Sequence, residues 1–140
     1  MARVAIELPD DFPFSTRLSL YLSHINYVGH LDNALLLTLV TEARARFFAS
    51  LGFTEQNVDG VGIVVADAAL QYRSEAHHGE IMDVSMTATD FWHKGCDLLW
   101  KMEELDSRRL VAQGKTGIVF FDYDERASVP VPAVFRSRFD

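Results

Sequence analysis

Asn26–Phe53 reads NYVGHLDNALLLTLVTEARARFFASLGF, a glycine turn that feeds a long, largely apolar stretch. Asn33 to Leu51 contains neither Pro nor Gly, and Gly52 follows as the kind of residue that ends a helix in the left-handed conformation. The spacing predicts one helix with a rise of about 28 Å. At about 100° per residue, Asn33, Leu36, Leu39, Val40, Ala43, Phe47 and Leu51 share a face, and Thr38, Thr41, Glu42 and Ala45 fall opposite. Leu35, Leu37 and Phe48 widen the apolar arc. Such a helix is expected to be buried on most sides, as when a sheet wraps around it.

The flanking segments alternate with the period of strands. Phe14 to Ser23 places Phe14, Thr16, Leu18, Leu20 and Leu22 on one face, which predicts a half-buried strand. After the polar loop Thr54–Gly60, Val61 to Arg73 is rich in Val, Ile and Ala but alternates poorly, as a central strand covered on both faces would. Ile81 to Trp92 sets Met82, Val84, Met86 and Ala88 against Asp83, Ser85, Thr87 and Thr89. Asp97 to Leu105 sets Leu98, Trp100 and Met102 against Asp97, Lys101 and Glu103. With turns at Lys94-Gly95 and Asp106-Ser107-Arg108, and a last strand at Leu110 to Tyr123, these three form an antiparallel meander. The tail, with Pro130 and Pro132 ahead of Ala133 to Phe139, is expected to cross the outside as a loop and a short helix. The sum is an α+β fold: an antiparallel five- or six-stranded curled sheet wrapped around one long central helix.

At 140 residues the chain suits a single domain, residues 1–140, with room for a real core. No run approaches the roughly 18 apolar residues of a membrane span, and the acidic start MARVAIELPDD lacks the apolar centre of a secretion signal. A cytoplasmic protein with no membrane partner is the expectation. A net charge of −7 argues against nucleic-acid binding, which needs a basic surface. The single cysteine, Cys96, excludes an internal disulfide and reads as a core thiol.

The chemistry is expected at the front of the helix, where unpaired backbone N–H groups carry roughly half a positive charge. An anion, or a carbonyl becoming one, is stabilised at such a place. Gly29, with no Cβ, would let a ligand approach the backbone, or it merely turns the chain while Asp32 or Asn33 caps the helix.

These residues carry a resemblance. The order strand, Asn26-Tyr-Val-Gly-His-Leu-Asp-Asn33, Glu42-Ala-Arg44 and Phe48-Ala-Ser-Leu-Gly52 resembles the hotdog-fold acyl-CoA thioesterases. The branch most alike is the one holding 4-hydroxybenzoyl-CoA thioesterase and the long-chain acyl-CoA thioesterases. There a Gly-His-(Val/Leu)-x-Asn turn leads into a helix bearing Glu-Ala-Arg. The likeness continues through Tyr72, Gly79-Glu80, the strand Lys115–Phe121 and Val129-Pro-Val-Pro132, and so covers nearly the whole chain. It implies hydrolysis of an acyl-CoA, with coenzyme A as part of the substrate and no separate cofactor. It also implies a homodimer or dimer of dimers, with active sites between subunits. The amides near Val28, Gly29 and His30 would polarise the thioester carbonyl, and Tyr27, Val28, Asn33, Tyr72 and Arg73 would bind substrate.

One departure stands out. Many members place an aspartate just before the glycine turn, where this chain has Asn26, and an amide neither takes a proton near neutral pH nor attacks as a carboxylate does. The family's alternative acid, about two turns into the helix, meets Leu37, Thr38 and Thr41. Asn26 would then orient a water, with His30, Asp32 or Glu42 as base and Asn26 plus His30 the first choice. Each has a structural alternative: Asn26 bonding the turn, His30 packing at the helix entrance, Asp32 capping, and Glu42 pairing with Arg46 one turn on.

Other constellations fail on context. Gly60-Val-Gly62 precedes a strand rather than a helix, and no Gly-x-Ser-x-Gly elbow is present. His77 and His78 are adjacent and His24 and His93 lie elsewhere, so no metal site is expected. Two further readings remain beside hydrolysis: a non-catalytic acyl-CoA or acyl-carrier binding protein, and a hotdog hydratase or dehydratase.

Overall fold

The meander forms the middle of the sheet. In this computed structural model, which describes residues 3–140, β3 (Ile81–Trp92), β4 (Gly95–Glu104) and β5 (Leu110–Asp122) run antiparallel, with Val84 opposite Met102 and Trp100 opposite Gly114. Met1 and Ala2, the first residues of the acidic start, lie outside the described residues. The alternation reads true on these strands, since Met82, Val84, Met86, Leu98, Trp100 and Met102 are all buried. β1 (Phe14–Ser19) lies against β3, β2 (Gly62–Tyr72) against β5, and the short β6 (Ala127–Ser128) also against β5. The sheet order is therefore β1-β3-β4-β5-β2. Curled around α1 (Leu36–Ser50), this six-stranded antiparallel sheet is the hotdog arrangement. Among the described residues no helix is long and apolar enough to cross a membrane.

Several local expectations change. The regular helix is 15 residues, Leu36–Ser50, not the longer Asn33–Leu51 span, because the Leu37 and Thr38 N–H groups donate to the carbonyls three residues back, of Ala34 and Leu35, in a tighter turn. The Asp32 carboxylate accepts the N–H groups of Ala34 (2.9 Å) and Leu35 (3.0 Å), which holds Asn33 to Leu35 as turns ahead of the regular helix. Its buried face is Leu36, Leu39, Val40, Ala43, Phe47 and Phe48, while Leu37, Thr38, Thr41, Glu42 and Arg46 are exposed. A single chain thus covers one side of the helix rather than most of it.

The first strand ends at Ser19, before Ser23. Leu20 remains in the core, but Leu22 to His24 form a 3-10 turn in which the Tyr21 N–H donates to His24 Nδ1 at 3.0 Å, and both Tyr21 and Leu22 face solvent. β2, expected at the centre, is an edge strand. Its weak alternation reflects a bulge between Val65 and Asp67 and a half-exposed middle, not cover on both faces.

The tail crosses the outside only in part. α2 (Ala133–Arg136) drops Phe135 into the core, where its ring stacks on Phe48 with centroids 5.6 Å apart and meets Phe120 edge-on at 5.3 Å. Phe53, Phe91 and Phe139 complete the cluster. Sequence periodicity gave no warning, because a four-residue helix is too short to show one.

The β4–β5 turn is pinned by a carboxylate. Glu104 accepts the N–H groups of Asp106 (3.0 Å) and Ser107 (2.9 Å), and these bonds, Asp106 first, hold its acid well below the ordinary 4.5, at about 2. A depressed folded value contributes stability that is full above the ordinary value and is lost as pH falls towards 2. Glu104→Gln lacks that contribution at every pH. The gap in urea midpoint between wild type and variant is expected to be widest above pH 4.5 and to narrow towards pH 2; a gap that ignores pH would show the turn is held otherwise.

Candidate active site

Asn26 folds the glycine turn onto itself. Its Oδ1 accepts the N–H groups of Val28 (3.1 Å) and His30 (3.2 Å), its own N–H donates to the His30 carbonyl (2.8 Å), and the Gly29 N–H donates to its carbonyl (3.0 Å). Gly29 has a φ of 87°, and nothing lies within 4 Å of where its Cβ would be. The left-handed conformation itself calls for glycine, and the space beside it is open. The amides of Val28, Gly29 and His30 are therefore not free donors at a helix end. They close on Asn26, and the helix begins several residues later.

In the turn that leads into α1, the Asp32 carboxylate accepts the N–H groups of Ala34 and Leu35. The Leu36 N–H donates to the Asp32 carbonyl at 2.9 Å. Among the described residues the Asn33 N–H has no hydrogen-bond acceptor, and Asn33 lines an open cleft of about 490 Å³. That volume is within the roughly 300–1,000 Å³ of small-molecule sites. The unpaired amide at the positive end of α1 is thus at Asn33.

The turn is tied to a loop distant in sequence. The Leu31 N–H donates to the Ala76 carbonyl at 2.8 Å, which sets His30 beside the segment that follows β2. There His30 Nε2 lies 3.1 Å from Glu75 Oε2. His77 approaches from the same loop, its Nε2 3.9 Å from Glu75 Oε2 and its Nδ1 3.3 Å from Glu80 Oε1. Arg109 fixes the loop from below, its Nη2 donating to the Glu75 carbonyl (2.9 Å) and to both oxygens of Glu80 (3.0 and 3.1 Å).

Asn26, Val28, His30, Asn33, Tyr72, Arg73 and Glu75 all line the cleft, with Leu31, Leu36 and Val111 as apolar wall. Tyr72 donates its hydroxyl to the Asn33 carbonyl at 2.9 Å, so it braces the helix entrance. Arg73 reaches Gln113 Oε1 at 3.3 Å. Tyr27, expected against substrate, is fully exposed.

The other two acids considered as bases are occupied elsewhere. Asp32 is the helix cap. Glu42 pairs with Arg46 Nε at 2.8 Å in a separate groove beside Arg17, Tyr21 and His24, and Arg46 in turn bonds Thr16 and the Arg17 carbonyl of β1. The acid in the cleft is Glu75, which lies neither ahead of the glycine turn nor within the helix. Its one sequence signal is a polar run, Ser74 to Glu80, directly after a strand that ends in Tyr72. Cys96 is a core thiol: burial, then the Asp97 charge, pushes its pKa up to about 12, so it supplies no thiolate.

Comparison with known structures matches this architecture. A 1,4-dihydroxy-2-naphthoyl-CoA thioesterase from Synechocystis superposes with a TM-score of 0.80 at 21% identity, over 89% of this chain and 93% of that one. The gentisyl-coenzyme A thioesterase BH1999 gives 0.79 at 16%, over 91% and 100%. The protein SAV2348 from Staphylococcus aureus, solved in complex with CoA, gives 0.81 at 16%, over 96% and 85%. At these identities the likeness speaks for the fold alone. No curated protein matches the sequence. The sequence profile of the thioesterase-like superfamily, however, matches residues 21–139, from the turn before Asn26 through the aromatic plug, and on that span the chain belongs to the thioesterase-like superfamily.

Proposed function

We propose that this chain hydrolyses the thioester of an acyl-CoA to the free acid and CoA. The observation that carries the reading is the meeting, in one open cleft, of the unpaired Asn33 amide at the positive tip of α1 and the His30–Glu75 pair. The Asn33 N–H would donate to the thioester oxygen as it gains charge, a contribution worth on the order of 10²–10³ in turnover at comparable sites. Glu75, oriented by His30, would take the proton of the attacking water. Oδ1 of Asn26 is committed to the loop, so its NH₂ is the group left to orient that water. The superfamily membership and the CoA-thioesterase neighbours support this reading.

The β2 edge supports a second copy of the chain as partner. It is 11 residues long, and its middle is exposed, a kind of edge that natural proteins cover. Paired edge to edge, two copies would continue the sheet and bring a neighbour against the half-bare α1.

A specific observation favours an alternative: the residue at the usual acid position is an amide whose oxygen is already taken by two backbone N–H groups. A protein that only binds acyl-CoA would look the same there. Thiol release from a panel of aryl- and alkyl-CoA esters, followed with Ellman's reagent, separates the two. Release above the buffer blank, from a particle of twice the 15.8 kDa chain mass by light scattering, is the expected result. Saturable binding without release would establish the binder instead, and a monomer would remove the edge-pairing argument.

A further inference from the structure

We propose that His30, Glu75 and His77 form a binding site for a divalent first-row metal ion of the zinc class. The three side chains come from two loops that the fold joins, His30 from the Asn26 turn and the other two from the segment after β2. One ligand atom from each of the three side chains lies within 4.8 Å of the other two.

The spacing suits coordination. Bonds of about 2.0–2.1 Å in a tetrahedron put neighbouring ligand atoms about 3.3 Å apart. The His30–Glu75 separation is 3.1 Å and the His77–Glu75 separation 3.9 Å, on either side of that value, and all three ligand atoms fall within 4.8 Å of one another. Two imidazoles and one carboxylate are a donor set that zinc and its neighbours prefer over calcium or magnesium, which favour oxygen. Three protein ligands leave a fourth position for water or a ligand, and two of the three, His30 and Glu75, line the open cleft.

A supporting shell is also in place. With Nε2 of His77 turned to the metal, its Nδ1 faces Glu80 Oε1 at 3.3 Å, the carboxylate–histidine–metal arrangement that fixes tautomer and ring orientation. Glu80 is itself held by Arg109, and the same guanidinium donates to the Glu75 carbonyl. Arg109 is therefore neutralised by Glu80 rather than left to repel a cation. The backbone bond from Leu31 to Ala76 holds the two loops together before any ion arrives.

This inference shares residues with the hydrolysis reading but does not rest on it, and its test contains no thioester. A metal on His30 and Glu75 would occupy the electron pairs that the pair would otherwise use as a base. Tag-free full-length protein, stripped with chelator, is titrated with Co²⁺ and, by competition against a chromogenic chelator, with Zn²⁺. The expected result is saturation at one ion per chain, with visible d–d bands typical of low coordination number. His77→Ala should weaken Co²⁺ affinity at least tenfold or so, and Glu80→Gln, which leaves all three ligands intact, by about 10–100-fold. Both positions are surface loop residues, and circular dichroism confirms that the variants fold. Wild type without saturable binding, or His77→Ala and Glu80→Gln both binding as wild type does, overturns the site.

Discussion

Glu75→Gln is expected, on the proposed hydrolysis, to lower kcat/KM for the best acyl-CoA substrate by about 10²–10⁴, the usual worth of a positioned general base. The substitution keeps shape and hydrogen-bonding length but removes the ability to take a proton near neutral pH. Stability should hardly change, because Glu75 is exposed and its backbone carbonyl, not its carboxylate, anchors Arg109. The loss should fall on kcat, with KM nearly kept, since the group acts on the water rather than on the CoA. Turnover within about twofold of wild type would show that the proton goes elsewhere and would end the assignment of Glu75 as base.

Phe135→Ala is the largest expected loss of stability, about 3–5 kcal/mol, as for other buried aromatics cut to a methyl. Phe135 is fully buried, and it touches residues from α1, β3 and β5 together. Its removal leaves a hole that no single neighbour can fill, because Phe48 and Phe120 are held by their own helix and strand. Against a typical total of about 5–15 kcal/mol, the change takes a large share. Urea unfolding reads it through the midpoint, and Phe135→Leu, which keeps much of the volume, should lose clearly less. A loss under about 1 kcal/mol for the alanine variant would mean that the tail is an ornament on a core already complete without it.

What could be read from the residues follows from how far each signal reaches. Alternation reports which face of a strand is buried, and it placed Met82, Val84, Met86, Leu98, Trp100 and Met102 correctly, because those strands are neighbours in sequence and in space. It does not report who stands beside a strand, so a pattern that suits a central strand belongs in β2 to an edge. The apolar period locates the helix but not its start, because Asn33 to Leu35 satisfy the period while the bonds there close tighter turns.

The candidate cleft is legible in part, because Asn26, His30 and Asn33, which line it, sit on one continuous turn. Glu75 is not, since it meets His30 only through the contact between the turn and the loop after β2, and no local pattern encodes that meeting. The expectation of no metal site rested on histidines scattered along the chain, and the same loop contact is what gathers two of them.

The sheet order has a further consequence for how the molecule comes into being. β3, β4 and β5 are hairpin neighbours and need only short loops to find one another, whereas β1 must reach past α1 and β2 to pair with β3. Closing that long excursion carries a chain-entropy cost that the meander does not bear. The Asn26 turn lies between β1 and α1, and the Glu75 loop joins β2 to β3. The two walls of the cleft therefore come from opposite sides of that excursion, and it exists as a cleft only once the long-range pairing has closed.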